Sequence, residues 1–312
     1  MTVEKPLSLV EDYQALRHDA GVIDLPRDFI RVSGAQALEY LQGQLSQELE
    51  KLSVGDSALS LILEPQGKVS AFVRVSRAGE DELVLDFDAG SGDAVLARLQ
   101  RFKLRTKADI EVLEDWHCVS VRGPRADAAV AGHAGTGLRA AFPWPGLEGI
   151  DLLGPDVMAP EGVRRCGPAA YEALRIETGL PVMGAELDER TIPEESGVVE
   201  ATVSFTKGCF TGQELVARID SRGGNVPRRL RGVVQAGAGG APAYADGPFM
   251  VGAAVMVEGA EVGRLTSVAV SPELGPVALA YVKRGHEVPF RAELGSEDRA
   301  VEVRALPLIG AS

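Results

Sequence analysis

Residues 207 to 214 read Lys-Gly-Cys-Phe-Thr-Gly-Gln-Glu and hold the chain's most concentrated chemistry. Cys209 is one of three cysteines, and the thiolate is the form of cysteine that attacks or ligates. Thr211 and Glu214 have the Thr-x-x-Glu spacing of a capping box, and Leu215, Val216 and Ile219 follow at helical spacing. A helix is therefore predicted just after Cys209, and its N-terminal dipole, with Lys207, favours a thiolate. Gly208 and Gly212 let the backbone bend and a ligand approach closely. The same residues also suit a small half-buried thiol in a tight turn.

Anion chemistry is the second candidate. Arg98, Arg101, Lys103, Arg105 and Lys107 form a run without an acid, and Arg218, Arg222, Arg228, Arg229 and Arg231 form another with only Asp220 opposing. On a chain of net charge −13 these segments suit a polycarboxylate, a phosphate or an RNA backbone, or else are solvated faces with partners elsewhere. The overall acidity argues against a general nucleic-acid binder unless a local basic patch overrides it, and the few aromatics beside the runs, Phe102 excepted, weaken a stacking platform for RNA. His18, His117, His133 and His286 lack metal-binding spacing, and neither a dinucleotide glycine motif nor a P-loop occurs. The cysteines Cys118, Cys166 and Cys209 are odd in number and far apart, which predicts no disulfide framework and a reducing cytoplasm. No run reaches the ~20 apolar residues of a membrane span, and Met-Thr-Val-Glu-Lys-Pro has no apolar signal core.

The positioning elements follow from periodicity. A helix is predicted over 36–50 through Leu38, Leu41, Leu45 and Leu49. A β-meander follows at 58–63, 69–75 and 83–87, then a helix at 93–104 and strands at 110–113 and 118–121. The Gly- and Pro-rich stretch 131–168 reads as loops and short strands, and a helix at 168–178 stops at Gly179 and Pro181. Beyond residue 226 the pattern is all strand, with runs at 230–234, 253–257, 262–270 and 277–282. The chain is thus α+β, with a mixed body at 1–225 and a small all-β domain at 226–312.

Lys207-Gly-Cys-Phe-Thr-Gly-Gln-Glu214 resembles the K-G-C-[FY]-x-G-Q-E signature of the YgfZ family of folate-binding iron–sulfur cluster maintenance proteins. Leu41-Gln-Gly-Gln-Leu45, Pro65-Gln-Gly-Lys68, Arg101-Phe-Lys-Leu-Arg105, Leu174-Arg-Ile-Glu-Thr-Gly-Leu-Pro181, Leu215-Val-Ala-Arg218 and Val226-Pro-Arg-Arg-Leu230 agree with it in order. The resemblance implies the aminomethyltransferase (T-protein)-like fold, a three-domain ring with a C-terminal β-barrel and tetrahydrofolate at its centre. It implies Glu177 as partner of the pterin, whose 2-amino-4-oxo edge offers two parallel N–H groups. Lys207, Gln213, Glu214, Arg218 and Arg105 become candidate folate-binding residues, and Cys209 a candidate functional thiol. Where the transferases carry paired acids this chain has Ala71 and Phe72, which argues against aminomethyl transfer. Gln47-Glu48 replaces an Asn-Asp or Ala-Asp pair, and Phe210 the commoner tyrosine. The expected function is support of iron–sulfur cluster assembly or repair in client enzymes, with an effect on tRNA modification through them. The alternatives are a folate-dependent one-carbon transferase, a tRNA-binding protein or a folate-free scaffold.

Overall fold

Three β-structures organise the chain, because its apolar residues alternate along strands far more than they repeat along helices. The computed structural model describes residues 8–133, 135, 137–237, 249–295 and 299–310. The N-terminal hexapeptide Met-Thr-Val-Glu-Lys-Pro lies outside the described residues. The chain begins with α1 (Leu9–His18), β1 (Gly21–Leu25), β2 (Arg27–Ser33) and α2 (Ala37–Gln44). The meander β3 (Ser57–Leu63), β4 (Val69–Gly79) and β5 (Glu82–Asp88) precedes α3 (Gly92–Lys103), β6 (Asp109–Val112), β7 (His117–Arg122) and α4 (Ala126–Ala131). Next come β8 (Leu138–Phe142), β9 (Gly149–Gly154), β10 (Arg164–Arg165), α5 (Pro168–Thr178), α6 (Pro193–Ser196), α7 (Val199–Thr202) and α8 (Gln213–Asp220). Strands complete it: β11 (Arg228–Gln235), β12 (Ala254–Val257), β13 (Ala260–Ser271), β14 (Gly275–Lys283), β15 (Phe290–Leu294) and β16 (Arg299–Arg304).

One five-stranded sheet has the order β10-β1-β7-β9-β8 and the other β3-β4-β5-β2-β6. The last six strands close a barrel in the order β11-β14-β13-β12-β15-β16. Only Pro26 separates β1 from β2, yet these strands enter different sheets. Proline has no N–H to continue a ladder, so the chain is free to change sheets there.

Strand β14 shows how the barrel attaches to the body. Val277, Leu279 and Tyr281 enter the central core with α1 and α5, whereas Ala278, Ala280 and Val282 fill the barrel interior. Period-two alternation thus buries both faces, with smaller residues on the inside where space is least. A third core packs α2 and α3 on the second sheet through Leu41, Val95, Leu99, Leu85 and Phe87.

The α+β class, the meander, the helix at 168–178 and the all-strand C-terminal part match expectation. Two local expectations do not. The helix predicted over 36–50 ends at Gln44, and Leu45 is already extended. The Lys207 ammonium binds the Gln42, Leu45 and Gln47 carbonyls at 2.7 Å each. A cation there satisfies carbonyls that another helical turn would have used. Leu41, Leu45 and Leu49 remain fully buried, so the leucine spacing marks burial but not continuous helix.

The Thr211–Glu214 capping box is likewise absent. Helix α8 starts at Gln213 after Gly212, which has φ +83° and provides no side-chain cap. Gly212 packs instead against the Pro65-Gln66-Gly67 turn. A Cβ at 212 would lie 2.6 Å from the Glu64 carbonyl oxygen, and one at Gly67 would lie 2.5 Å from Leu215 Cβ. Two glycines back to back therefore let these turns touch. Gly212→Ala should cost about 1–3 kcal/mol in urea unfolding, while Gly208→Ala, with open space around its Cβ position, should stay within about 0.5 kcal/mol of the parent.

Candidate functional site

The β1–β2 crossing forms one wall of a cavity of about 660 Å³ at the junction of all three β-structures. Leu59, Phe72 and Arg74 come from one sheet and Phe142 and Asp151 from the other, Tyr171, Glu172 and Arg175 from α5, and Ser267 from the barrel. On β4, Ala71, Val73 and Val75 face the core under α2 and α3, so Phe72 and Arg74 face the cavity side. Phe72 lines the cavity and packs edge-on against Trp144, whereas Ala71 does not line it. Phe72, Phe142 and Tyr171 give the cavity aromatic walls.

A buried chain of alternating charges crosses this junction. Arg74 Nε donates to Asp86 Oδ2 at 2.9 Å and Nη2 to Oδ1 at 3.1 Å, while its Nη1 reaches Asp151 Oδ2 at 2.6 Å. Arg122 donates twice to Asp151, at 2.6 and 3.2 Å. On the other side Arg27 bridges Asp86 and Asp88, whose second oxygen accepts from Met183 N. Strand register builds this chain by setting Arg27 opposite Asp88 and Arg74 opposite Asp86. Burial alone would push Asp151 up, but Arg122 and Arg74 overcome it and hold the carboxyl well below the usual range. Burial likewise disfavours the Arg74 cation, and Asp86 and Asp151 more than restore it. Three arginines and three aspartates balance in charge. A second group fixes α5: Arg175 binds Glu172 at 2.5 Å and the Leu180 carbonyl at 2.8 Å, and Glu186 accepts from Thr266 and Ser267 of the barrel.

None of the seven residues singled out in the sequence lines this cavity. Glu177 is fully buried and turns toward α1, where Tyr13 Oη donates to its Oε2 at 2.8 Å and Arg17 stands 3.6 Å away. Its Oε1 has no hydrogen-bond partner among the described residues. The Ser271 hydroxyl stands close enough to influence the carboxyl without reaching hydrogen-bond geometry. Burial pushes Glu177 up to about 7, against the pull of the Ser271 and Tyr13 hydroxyls and Arg17. Lys207 is buried and spends its three protons on carbonyls, so it is an anchor for the end of α2, not a partner of the Cys209 thiol. Burial pushes it down to about 8 despite Glu48 and Glu50.

Cys209, Glu214 and Arg218 are exposed, and Gln213 Oε1 makes a long contact to Phe210 N at 3.4 Å. Arg105 is exposed beyond the end of α3. The basic runs are divided. Arg98 turns inward, stacks 3.8 Å from the Phe102 ring centroid and donates to Gln44 and the Leu63 carbonyl. Arg228 and Arg229 pair with Glu195 and Glu194. Among the described residues, no group of three His, Cys, Asp or Glu is placed to hold a metal ion, and no helix is long and apolar enough to cross a membrane.

Sequence reasoning missed the charge chain and the cavity walls. The available signal was Arg74, a charge set between Val73 and Val75, with Asp86 and Asp88 two apart in the next strand.

Comparison with known proteins agrees with this architecture. Residues 6–161 match the model of the GCVT N-terminal domain. The chain is 30% identical over 332 aligned residues to the aminomethyltransferase of Thermus thermophilus, covering 96% of this chain and 90% of that protein. It is 28% identical to the aminomethyltransferase of Saccharopolyspora erythraea, covering 95% and 88%. The crystal structure of glycine cleavage system aminomethyltransferase T from Bartonella henselae superposes with a TM-score of 0.80 at 23% identity, covering 100% of this chain and 92% of that one. Two five-stranded sheets and a closed barrel around a common cavity thus define an aminomethyltransferase-like fold. The chain belongs to the GCVT-domain family of proteins related to aminomethyltransferase.

Two variants test the electrostatics. Arg74→Met leaves Asp86 and Asp151 short of a buried partner and should cost about 3–5 kcal/mol in urea unfolding; a loss under 1 kcal/mol would show that the charge chain is not needed. For Glu177, the folded protein retains a proton between about pH 4.5 and 7 that the unfolded chain releases. Its contribution is therefore complete below pH 4.5 and lost as pH rises to 7, by on the order of 3 kcal/mol. Glu177→Gln should gain stability on the parent across that window, and parallel stability curves would refute the assignment.

Proposed function

We propose that the protein binds tetrahydrofolate in the central cavity and belongs, by activity, with the folate-dependent one-carbon transferases. The observation that carries this reading is the cavity itself, which all three β-structures line. Its volume lies within the ~300–1,000 Å³ of small-molecule sites. Phe72, Phe142 and Tyr171 offer flat apolar contact to a bicyclic ring. Glu172, part-exposed on the cavity wall, offers a carboxylate to the ring's N–H edge. The family resemblance instead assigns that role to Glu177, one and a half turns later. Relatives matched along nearly the whole chain are named aminomethyltransferases, which supports one-carbon transfer over cluster maintenance.

Tetrahydrofolate would supply the one-carbon carrier nitrogen. The chain's own residues would hold the ring flat, fix its edge through a glutamate and exclude water through the aromatic walls. Residues 1–225 would form this folate-binding body, and 226–312 the barrel that closes it.

A second reading is supported by Phe72. With an aromatic ring there, the carboxylates bordering the cavity are Asp24, Asp88, Asp151 and Glu172, and each is paired with an arginine. That composition suits a folate-binding protein of YgfZ type serving iron–sulfur clients in the cytoplasm, with exposed Cys209 and its neighbours Gln213, Glu214 and Arg218 turned toward the partner.

Anaerobic calorimetric titration with tetrahydrofolate is expected to show saturable binding. Loss of one charged hydrogen bond in Glu172→Gln should weaken it about tenfold or more. Weakening in Glu177→Gln alone would move the ring to the other side of α5, and no binding at millimolar ligand would end the folate reading. Release of a methylamine-derived one-carbon unit to bound folate would establish transfer. Binding without turnover would establish the second reading's non-catalytic protein.

A further inference from the structure

The closed barrel has a basic mouth. Arg229 and Arg231 share the face of β11 that carries Val233 into the barrel interior, and their ladder partners Val282 and Ala280 also face inward. Two guanidiniums therefore occupy inward positions at the end where the chain enters β11. A cavity of about 150 Å³ opens there, lined also by Lys283, Arg284 and His286 and by Gly223, Gly224 and Asn225. Among the described residues that line it there is no aspartate or glutamate, although the whole chain carries a net charge of −13.

The cations are held apart by fixed contacts. Arg229 binds Glu194 at 2.9 Å and the Gly224 carbonyl at 2.6 Å, and Arg284 donates to Asn225 Oδ1 at 3.1 Å. Lys283 Nζ donates to the Glu261 carbonyl, and the His286 ring packs on Phe290. Arg231 differs: among the described residues its one side-chain hydrogen bond is to the carbonyl of neighbouring Leu230 at 3.2 Å. Burial, and then the Arg229 charge, push the Arg231 guanidinium below its ordinary value. A half-buried cation facing another cation is costly unless an anion joins them.

We infer that the barrel mouth binds a phosphate group, gripped by Arg231 and Arg284 with Arg229, Lys283 and His286 around it. Guanidinium forks match the oxygens of a tetrahedral anion and can each supply two N–H donors. The volume is well below the ~300 Å³ of small-molecule pockets, so it accepts one head group and leaves the rest of any ligand in solvent. The site is distinct from the central cavity, sharing none of its lining residues, and its occupation does not depend on folate.

Thermal unfolding and calorimetry of the full chain at low ionic strength test this, with inorganic phosphate, phenyl phosphate and a single-stranded RNA oligomer as separate probes. Inorganic phosphate is expected to raise Tm saturably, with chloride at equal ionic strength giving no such rise. Arg231→Gln removes an uncompensated charge, so without phosphate it should be at least as stable as the parent. Both it and the exposed-site variant Arg284→Gln should weaken phosphate binding about tenfold or more. Tighter binding of phenyl phosphate than inorganic phosphate would identify a monoester ligand; equal binding would identify free phosphate. The inference is overturned if phosphate gives no saturable effect, if both variants respond like the parent, or if only RNA binds.

Discussion

The structure depends on one constraint: charges taken out of water at the junction of two sheets must compensate each other there. Arg74 supplies the link. Its guanidinium fork joins Asp86 of its own sheet to Asp151 of the other, and Arg27 and Arg122 extend the chain at both ends. Isolated, any of these groups would shift toward its neutral form or unfold its surroundings. Together they leave directional contacts that permit few relative placements of the sheets. The apolar core below fixes how tightly the parts pack, whereas the charge chain fixes how they are aligned. The cavity exists because that alignment holds its walls apart.

Function follows from what the cavity does and does not contain. Aromatic faces and a part-exposed glutamate suit recognition of a flat heterocycle with an N–H edge. Phe72 puts an aromatic ring on the cavity wall, and Asp24, Asp88 and Asp151 beside the cavity are each paired with an arginine. Recognition and turnover are therefore separable properties here. Membership of the aminomethyltransferase-related family is shown by coverage of nearly the whole chain, while the chemistry rests on a few wall positions that the family fold does not dictate.

Much of the fold was legible because its signals are local. Alternation marked β3 to β5 and β11 to β14, and Pro168 with Gly179 bounded α5 to the residue. Errors arose where distant groups overrode local pattern. The leucines of 36–50 have helical spacing, but Lys207, 160 or more positions away in the chain, captures the carbonyls at Gln42, Leu45 and Gln47 and the helix stops. Thr211 and Glu214 have capping-box spacing, but contact of Gly212 with the Gly67 turn sets the entry into α8 instead. The strands at 290–294 and 299–304 went unread because they are short and half exposed. The site was the least legible part. Its walls come from strands and a helix far apart in sequence, and each residue looks ordinary until register brings Arg27, Arg74, Asp86 and Asp151 together. Lys207 and Glu177 stood out in the motifs, yet the structure gives one a carbonyl-anchoring place and the other a buried place beside Tyr13.

The most direct measurement is a crystal structure of the protein grown with tetrahydrofolate under anaerobic conditions. The pterin ring is expected inside the central cavity, between Phe72 and Tyr171, with its N–H edge on a glutamate of α5 and the Arg74 charge chain unchanged. Folate ordered elsewhere, for instance against Cys209 and α8, with the cavity filled only by solvent, would contradict it.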